Sequence, residues 1–99
     1  MAENMTKEKI QLKHPEGKRA VSIDKEKYEI IRKSIISSLK SKEVTFTLLS
    51  LAIKKKLSGR FEGSINWYVE SVKLDLEARN IIERIHATKP QLYRLKIAI

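Results

Sequence analysis

Ninety-nine residues, 41% of them apolar, are enough to build one modest core and too few for a second independent domain. The chain has no cysteine, which excludes disulfide scaffolds, thiolate metal sites and cysteine nucleophiles, and no stretch approaches the roughly 18 apolar residues of a membrane span. Lys and Arg number 21 against 12 Asp and Glu, and the resulting charge of +9 favours approach to polyanions while also serving plain solubility.

That charge is spread along the chain. Residues 1–40 carry 10 basic and 6 acidic groups, residues 41–63 carry 5 and 2, and residues 64–99 carry 6 and 4. The opening MAENMTKEKIQLKHPEGK mixes both signs and lacks the apolar run of a signal peptide, so a soluble cytoplasmic protein is expected.

Residues 1–9 are polar and are expected to fray, leaving 10–99 as a single domain. In IQLKHPEGKRAVSI, Ile10 and Leu12 alternate with polar neighbours, His14 to Gly17 supply a turn, and Val21 and Ile23 alternate again. Two short extended segments are expected, paired as a hairpin or draped over the domain. Asp24 offers a carboxylate cap to KEKYEIIRKSIISSLK, where Tyr28, Ile31, Ile35 and Leu39 form a helical stripe that Ile30 and Ile36 widen.

After the polar Ser41, Lys42 and Glu43, Val44 to Phe46 read as a short strand or bridge. Thr45 or Thr47 then caps a second helix with Leu48, Leu49, Ala52, Ile53 and Leu57 available to the core. Lys54, Lys55 and Lys56 fall in its last turn, where cations interact favourably with the helix dipole. SGRFEG makes a loop, Ser64 caps a third helix, and Asn80 stands where a left-handed residue ends it. Ile81 to Ile85 and Gln91 to Leu95 then read as two strands around the turn HATKP.

Three helices followed by strand, turn and strand give a winged helix-turn-helix-like α+β order, with a C-terminal two-stranded wing and an N-terminal extended segment. DLEARNIIERI is similar to the helix-end-plus-strand signature of winged-helix domains. Taken with IQLKHPEGKRAVSIDKEKY, VTFTLLSLAI and INWYVESVKLDLEARNIIERIHATKP, the chain from Ile10 to about Leu95 resembles an uncharacterised family of short, mainly bacterial winged-helix-like proteins, a domain of unknown function. The resemblance implies the fold and no activity, ligand or catalytic residue. Where such domains usually place glycine after the third helix, this chain has Asn80.

At about 100° per residue, Ile65, Val69, Val72 and Leu76 share the core side of helix three, with Tyr68 at its margin. Trp67, Leu74 and Ala78 lie opposite, with Glu70 and Ser71 between them. A base-reading helix would offer Arg, Lys, Asn or Gln there. This one has Lys73 and Arg79 against Glu70, Asp75 and Glu77, a net negative charge to bring toward phosphates. The apolar pair Trp67 and Leu74 is therefore expected to be covered, by Ile10, Leu12, Val21 and Ile23 of the N-terminal segment or by a second copy of the chain. A Trp stacked on a nucleic-acid base is the third option.

The expected contacts to double-stranded DNA are mainly electrostatic and come from the wing, through Arg84, His86, Lys89 and Arg94. Lys73 and, as the one base-edge candidate, Asn66 on helix three complete the set. The competing reading is a protein-interaction or self-association module that uses Trp67 and Leu74. His14 and His86 have no sequence neighbour arranged as nucleophile, orienting carboxylate or metal ligand, so neither an enzyme nor a cofactor or metal site is expected.

Overall fold

The computed structural model describes residues 8–40 and 42–96. Its elements run β1 (Lys9–Gln11), β2 (Ser22–Asp24), α1 (Lys25–Leu39), β3 (Val44–Thr45), α2 (Phe46–Leu57), α3 (Ile65–Ala78), β4 (Ile82–Arg84) and β5 (Leu92–Leu95). The result is a mixed α+β fold, three helices with two small antiparallel sheets, β1-β2 and β3-β5-β4. Of the N-terminus expected to fray, residues 1–7 lie outside the described residues. Glu8 and Lys9 are built into the fold, since the Lys25 N–H donates to the Glu8 carbonyl at 2.9 Å and Lys9 opens β1.

The helices begin where short polar side chains can satisfy free amides. Asp24 accepts from the Glu26 N–H at 2.9 Å, Thr45 Oγ1 from the Leu48 N–H at 3.2 Å, and Ser64 Oγ from the Trp67 N–H at 3.2 Å. Helix α3 ends through Asn80 at φ 63°, with the Asn80 N–H on the Glu77 carbonyl and the Ile81 N–H on the Leu76 carbonyl. This paired closure needs a left-handed residue at its centre, a conformation that asparagine tolerates better than most. Gly63, at φ 107°, turns the chain into α3 so near Tyr68 that a Cβ would lie 3.1 Å from its ring.

Tyr28, Ile31, Ile35 and Leu39 of α1, Leu49 and Ile53 of α2, and Val69, Val72 and Leu76 of α3 meet in one core. Ile82 and Tyr93 close it from the sheet side. Two expectations for the stripes need correction. Ile36 is buried but Ile30 is exposed, and Leu48 and Ala52 turn to solvent because Phe46, Leu49, Ser50 and Ile53 already define the inward side of α2.

The N-terminal segment is a hairpin, with Ile10 opposite Ile23. Leu12 and Ile23 join the main core. What fastens the hairpin to the helices is Asp75, fully buried on α3. Its Oδ1 accepts from the Lys13 backbone N–H at 2.8 Å, and its Oδ2 accepts from the Tyr28 hydroxyl at 2.7 Å and from Arg79 Nε at 2.8 Å. Arg79 reaches on to the Gln11 carbonyl at 3.3 Å. A buried carboxylate is tolerable only when charge and hydrogen bonds compensate it, and here one side chain joins α1, α3 and the hairpin.

Asp75→Ala is expected to cost roughly 3–5 kcal/mol and Tyr28→Phe roughly 1.5–3 kcal/mol, read from urea midpoints at unchanged slope. Burial, and then the bond to Asp75, push the Tyr28 phenol well above its usual value. Its contribution to stability is therefore complete below the ordinary tyrosine value of about 10 and is lost as pH climbs beyond it. An alkaline absorbance titration should show one of the three tyrosines ionising last, together with unfolding.

Candidate nucleic-acid interface

The residues expected to touch nucleic acid are scattered over three environments. His86 and Lys89 are exposed in the turn between β4 and β5. Arg84 and Arg94 are half-exposed, yet each guanidinium is committed: Arg84 Nε to Glu77 Oε1 and Arg94 Nε to Glu83 Oε2, both at 2.8 Å. Arg84 also lies 5.7 Å from the centre of the Tyr93 ring. Its hydrogen bond to Glu77 outweighs its partial burial and raises its already high pKa. The β4-β5 hairpin thus presents paired arginines and one exposed lysine in its turn.

Asn66 sits exposed on the first turn of α3, with its Oδ1 accepting from Ser50 Oγ at 2.6 Å. That bond holds α2 against α3. Lys73 is a correction, because it is only 3% exposed and does not reach the surface. Its Nζ lies 3.4 Å from Glu70, 3.8 Å from Glu77 and 3.3 Å from the Tyr93 hydroxyl, between the Phe46 and Tyr93 rings at 5.0 Å from each centre. A cation so desolvated gains from ring faces and carboxylates together. Glu77 Oε2 is buried with no hydrogen bond and faces Lys73 as an ion contact only.

These pairs change the electrostatic reading of α3. Asp75 is buried on Arg79, Glu77 is shared between Lys73 and Arg84, and Glu70 has Lys73 behind it. Two of the three acids that looked exposed in sequence, Asp75 and Glu77, are spent inward. Only Glu70 remains substantially on the surface, with about half its side chain accessible.

A second correction concerns one of the two covers expected over the outer face of α3, the N-terminal segment, which does not reach Trp67. Trp67 is 45% exposed, and Val21, one of the residues expected to cover it, is exposed as well. Leu12 and Ile23 are drawn into the core, and the hairpin docks at the opposite end of α3, around Asp75 and Arg79. Trp67 instead meets Tyr68 edge-on at 4.9 Å between ring centres, and Tyr68 meets Phe61 in the same way at 5.0 Å. Lys27 lies 5.3 Å from the Tyr68 ring centre. Leu74 is intermediate in exposure.

Sequence reasoning missed two further features. The charges in KHPEGKR gather around the hairpin loop, and Leu48 and Leu51 protrude from α2 at 57% and 56% exposure. The first signal was legible as three cations flanking a turn. The second was not, because which side of a short apolar helix faces inward depends on its neighbours. Among the described residues no helix is long and apolar enough to cross a membrane.

Fold and surface together describe a small α+β domain with an open helix face and a basic surround. The chain belongs to a family of unknown function, DUF6958, which matches residues 9–93. This agrees with the resemblance to an uncharacterised domain family drawn from the sequence. No curated protein and no solved structure matches the chain.

The Lys73 cluster yields a test of its inward role. Lys73→Met is expected to cost about 3 kcal/mol by leaving buried Glu77 with one fewer counter-charge. Adding Glu77→Gln should recover part of that loss, a coupling of about 1 kcal/mol or more in a denaturant double-mutant cycle.

Proposed function

We propose that the chain is a winged-helix-like nucleic-acid-binding domain of regulatory or accessory type, holding its ligand mainly through the backbone phosphates. The element order α1-β3-α2-α3-β4-β5, with β5 between β3 and β4, is the arrangement expected of such a domain and supports the reading. The observation that carries it is the distribution of cations without a carboxylate partner among the described residues. Lys89 occupies the wing turn, Lys54, Lys55 and Lys56 the last turn of α2, and Arg60 the loop beyond, all exposed. The internal pairing of Asp75 and Glu77 leaves Glu70, itself paired with Lys73, as the one exposed acid of α3 and so reduces the electrostatic objection to bringing that helix near phosphate. Base-specific readout has little to rest on, since Asn66 is tied to Ser50.

A second reading is favoured by one observation. Leu48, Leu51 and Trp67 are large apolar side chains left open on the outer sides of α2 and α3, which suits a protein-docking surface. A complex of that kind would be insensitive to salt compared with phosphate binding.

At low salt the chain is expected to bind random nucleic acid, with log affinity falling linearly against log salt. Replacing Lys89 and two of Lys54, Lys55 and Lys56 by Glu should weaken duplex binding and lower that slope by roughly 0.9 for each phosphate left unneutralised. Fluorescence anisotropy of a labelled duplex measures both. Absence of any duplex or single-strand binding at low salt would remove the proposal.

A further inference from the structure

The outer face of α3 is bounded by two different features. Trp67 and Ala78 are eleven residues apart, which returns them to within about 20° of one another around the helix and separates them by about 16 Å along it. At the first end stands the exposed indole, in edge contact with Tyr68. At the other, Ala78 forms part of the wall of an open cleft of about 380 Å³ whose remaining lining comes from the hairpin loop, including Lys13, His14, Gly17, Lys18 and Arg19. Leu74 lies between these ends.

The cleft is held in place by the buried joint. The Lys13 N–H is anchored on Asp75, and the Gln11 carbonyl on Arg79, so the loop cannot drift from α3 without breaking bonds to a buried carboxylate. Lys13 and Arg19 are exposed and have no carboxylate partner among the described residues. Lys18 is paired with Glu16 at 3.1 Å, both side chains exposed. Hydrogen bonding to Lys18 and its charge hold the Glu16 carboxyl below its usual range, so this acid stays ionised and partly offsets the loop cations. The Glu16 backbone N–H donates to His14 Nδ1 at 3.1 Å, which ties the ring to the loop backbone.

An exposed aromatic at one end of a helix face and cations without a carboxylate partner at the other suit a ligand that alternates flat rings with negative charge. A duplex keeps its bases stacked inside and cannot offer a ring to Trp67. A single strand can. Base stacking on an aromatic is sequence-tolerant, and backbone phosphates within reach of Lys13 and Arg19 supply the charge complement. Resting on the nucleic-acid reading above, we infer that the outer face of α3, from Trp67 to the hairpin cleft at Ala78, is a binding site for single-stranded nucleic acid, with a base stacked on the indole and phosphates in the cleft. Glu70, on the same face, has its charge compensated by Lys73 beneath it.

Trp67 is the chain's one tryptophan, so its fluorescence reports this site alone. The full chain is titrated at low salt with a thymidine oligonucleotide of about ten nucleotides, within the usual site sizes for such binding, and with a duplex of matched length. The expected result is quenching of Trp67 by the single strand and not by the duplex. Trp67→Ala should weaken single-strand binding about tenfold or more by anisotropy. The double reversal of Lys13 and Arg19 to Glu, both at exposed positions, should weaken it too and lower the salt slope by roughly 0.7 for each phosphate left unneutralised. Unchanged circular dichroism establishes that each variant is folded.

Duplex binding with no single-strand quenching, or single-strand binding indifferent to both variants, overturns this site and leaves the broader proposal standing. Absence of binding to either ligand overturns both. A Trp67 signal that responds to chain concentration or to an acidic peptide and not to the oligonucleotide also overturns it, making this face a protein interface.

Discussion

The buried carboxylate of Asp75 is the constraint around which the rest of the fold is arranged. An ionised group with no solvent access must find its compensation within the protein, and Asp75 draws it from three separate parts of the chain: the phenol of α1, the guanidinium one turn along α3 and a backbone amide of the hairpin. Hydrophobic contacts of Leu12 and Ile23 would tolerate sliding. Directional bonds to two oxygens do not, so the hairpin is fixed in azimuth as well as in depth.

Lys73 plays a comparable part on the other flank of α3. It neutralises Glu70 and Glu77 from within while Phe46 and Tyr93 stand against it, and Arg84 completes the arrangement from β4. Helix α3 is thus bracketed by two internal charge clusters, one toward α1 and the hairpin, the other toward the sheet. Of the three acids on α3 only Glu70 stays substantially on the exterior, a property that formal charge summed along the helix conceals. Net charge per segment is a poor guide wherever ionisable groups at positions i and i+4 turn inward together.

Much of the fold was legible in the sequence because local chemistry and periodicity agreed with the tertiary outcome. Asp24, Thr45 and Ser64 each cap the helix that follows, Asn80 takes the left-handed conformation, and Tyr28, Ile31, Ile35 and Leu39 share a buried stripe. The candidate site was far less legible. Lys73 and Asp75 look like ordinary surface residues to any local rule, since their burial depends on partners as distant as Tyr28 and Lys13 in one case and Phe46 and Tyr93 in the other. The expectation that the N-terminal segment would cover Trp67 failed for a related reason. Apolar area argues that a side chain gains from cover without saying whether the available cover has been claimed elsewhere, and Leu12 and Ile23 had been claimed by the core.

Thr45 has two duties that are easily treated as separate. Its backbone pairs with Leu92 in the sheet, and its hydroxyl starts α2. The register of the sheet and the first residue of that helix are therefore a single variable. A slip of one position between β3 and β5 would turn Val44 out of the core and also displace the threonine from its place as a rung of the sheet. The β4-β5 hairpin and the root of the second helix are thus joined through one residue, so displacing either strand of that hairpin would strain the first turn of α2 as well.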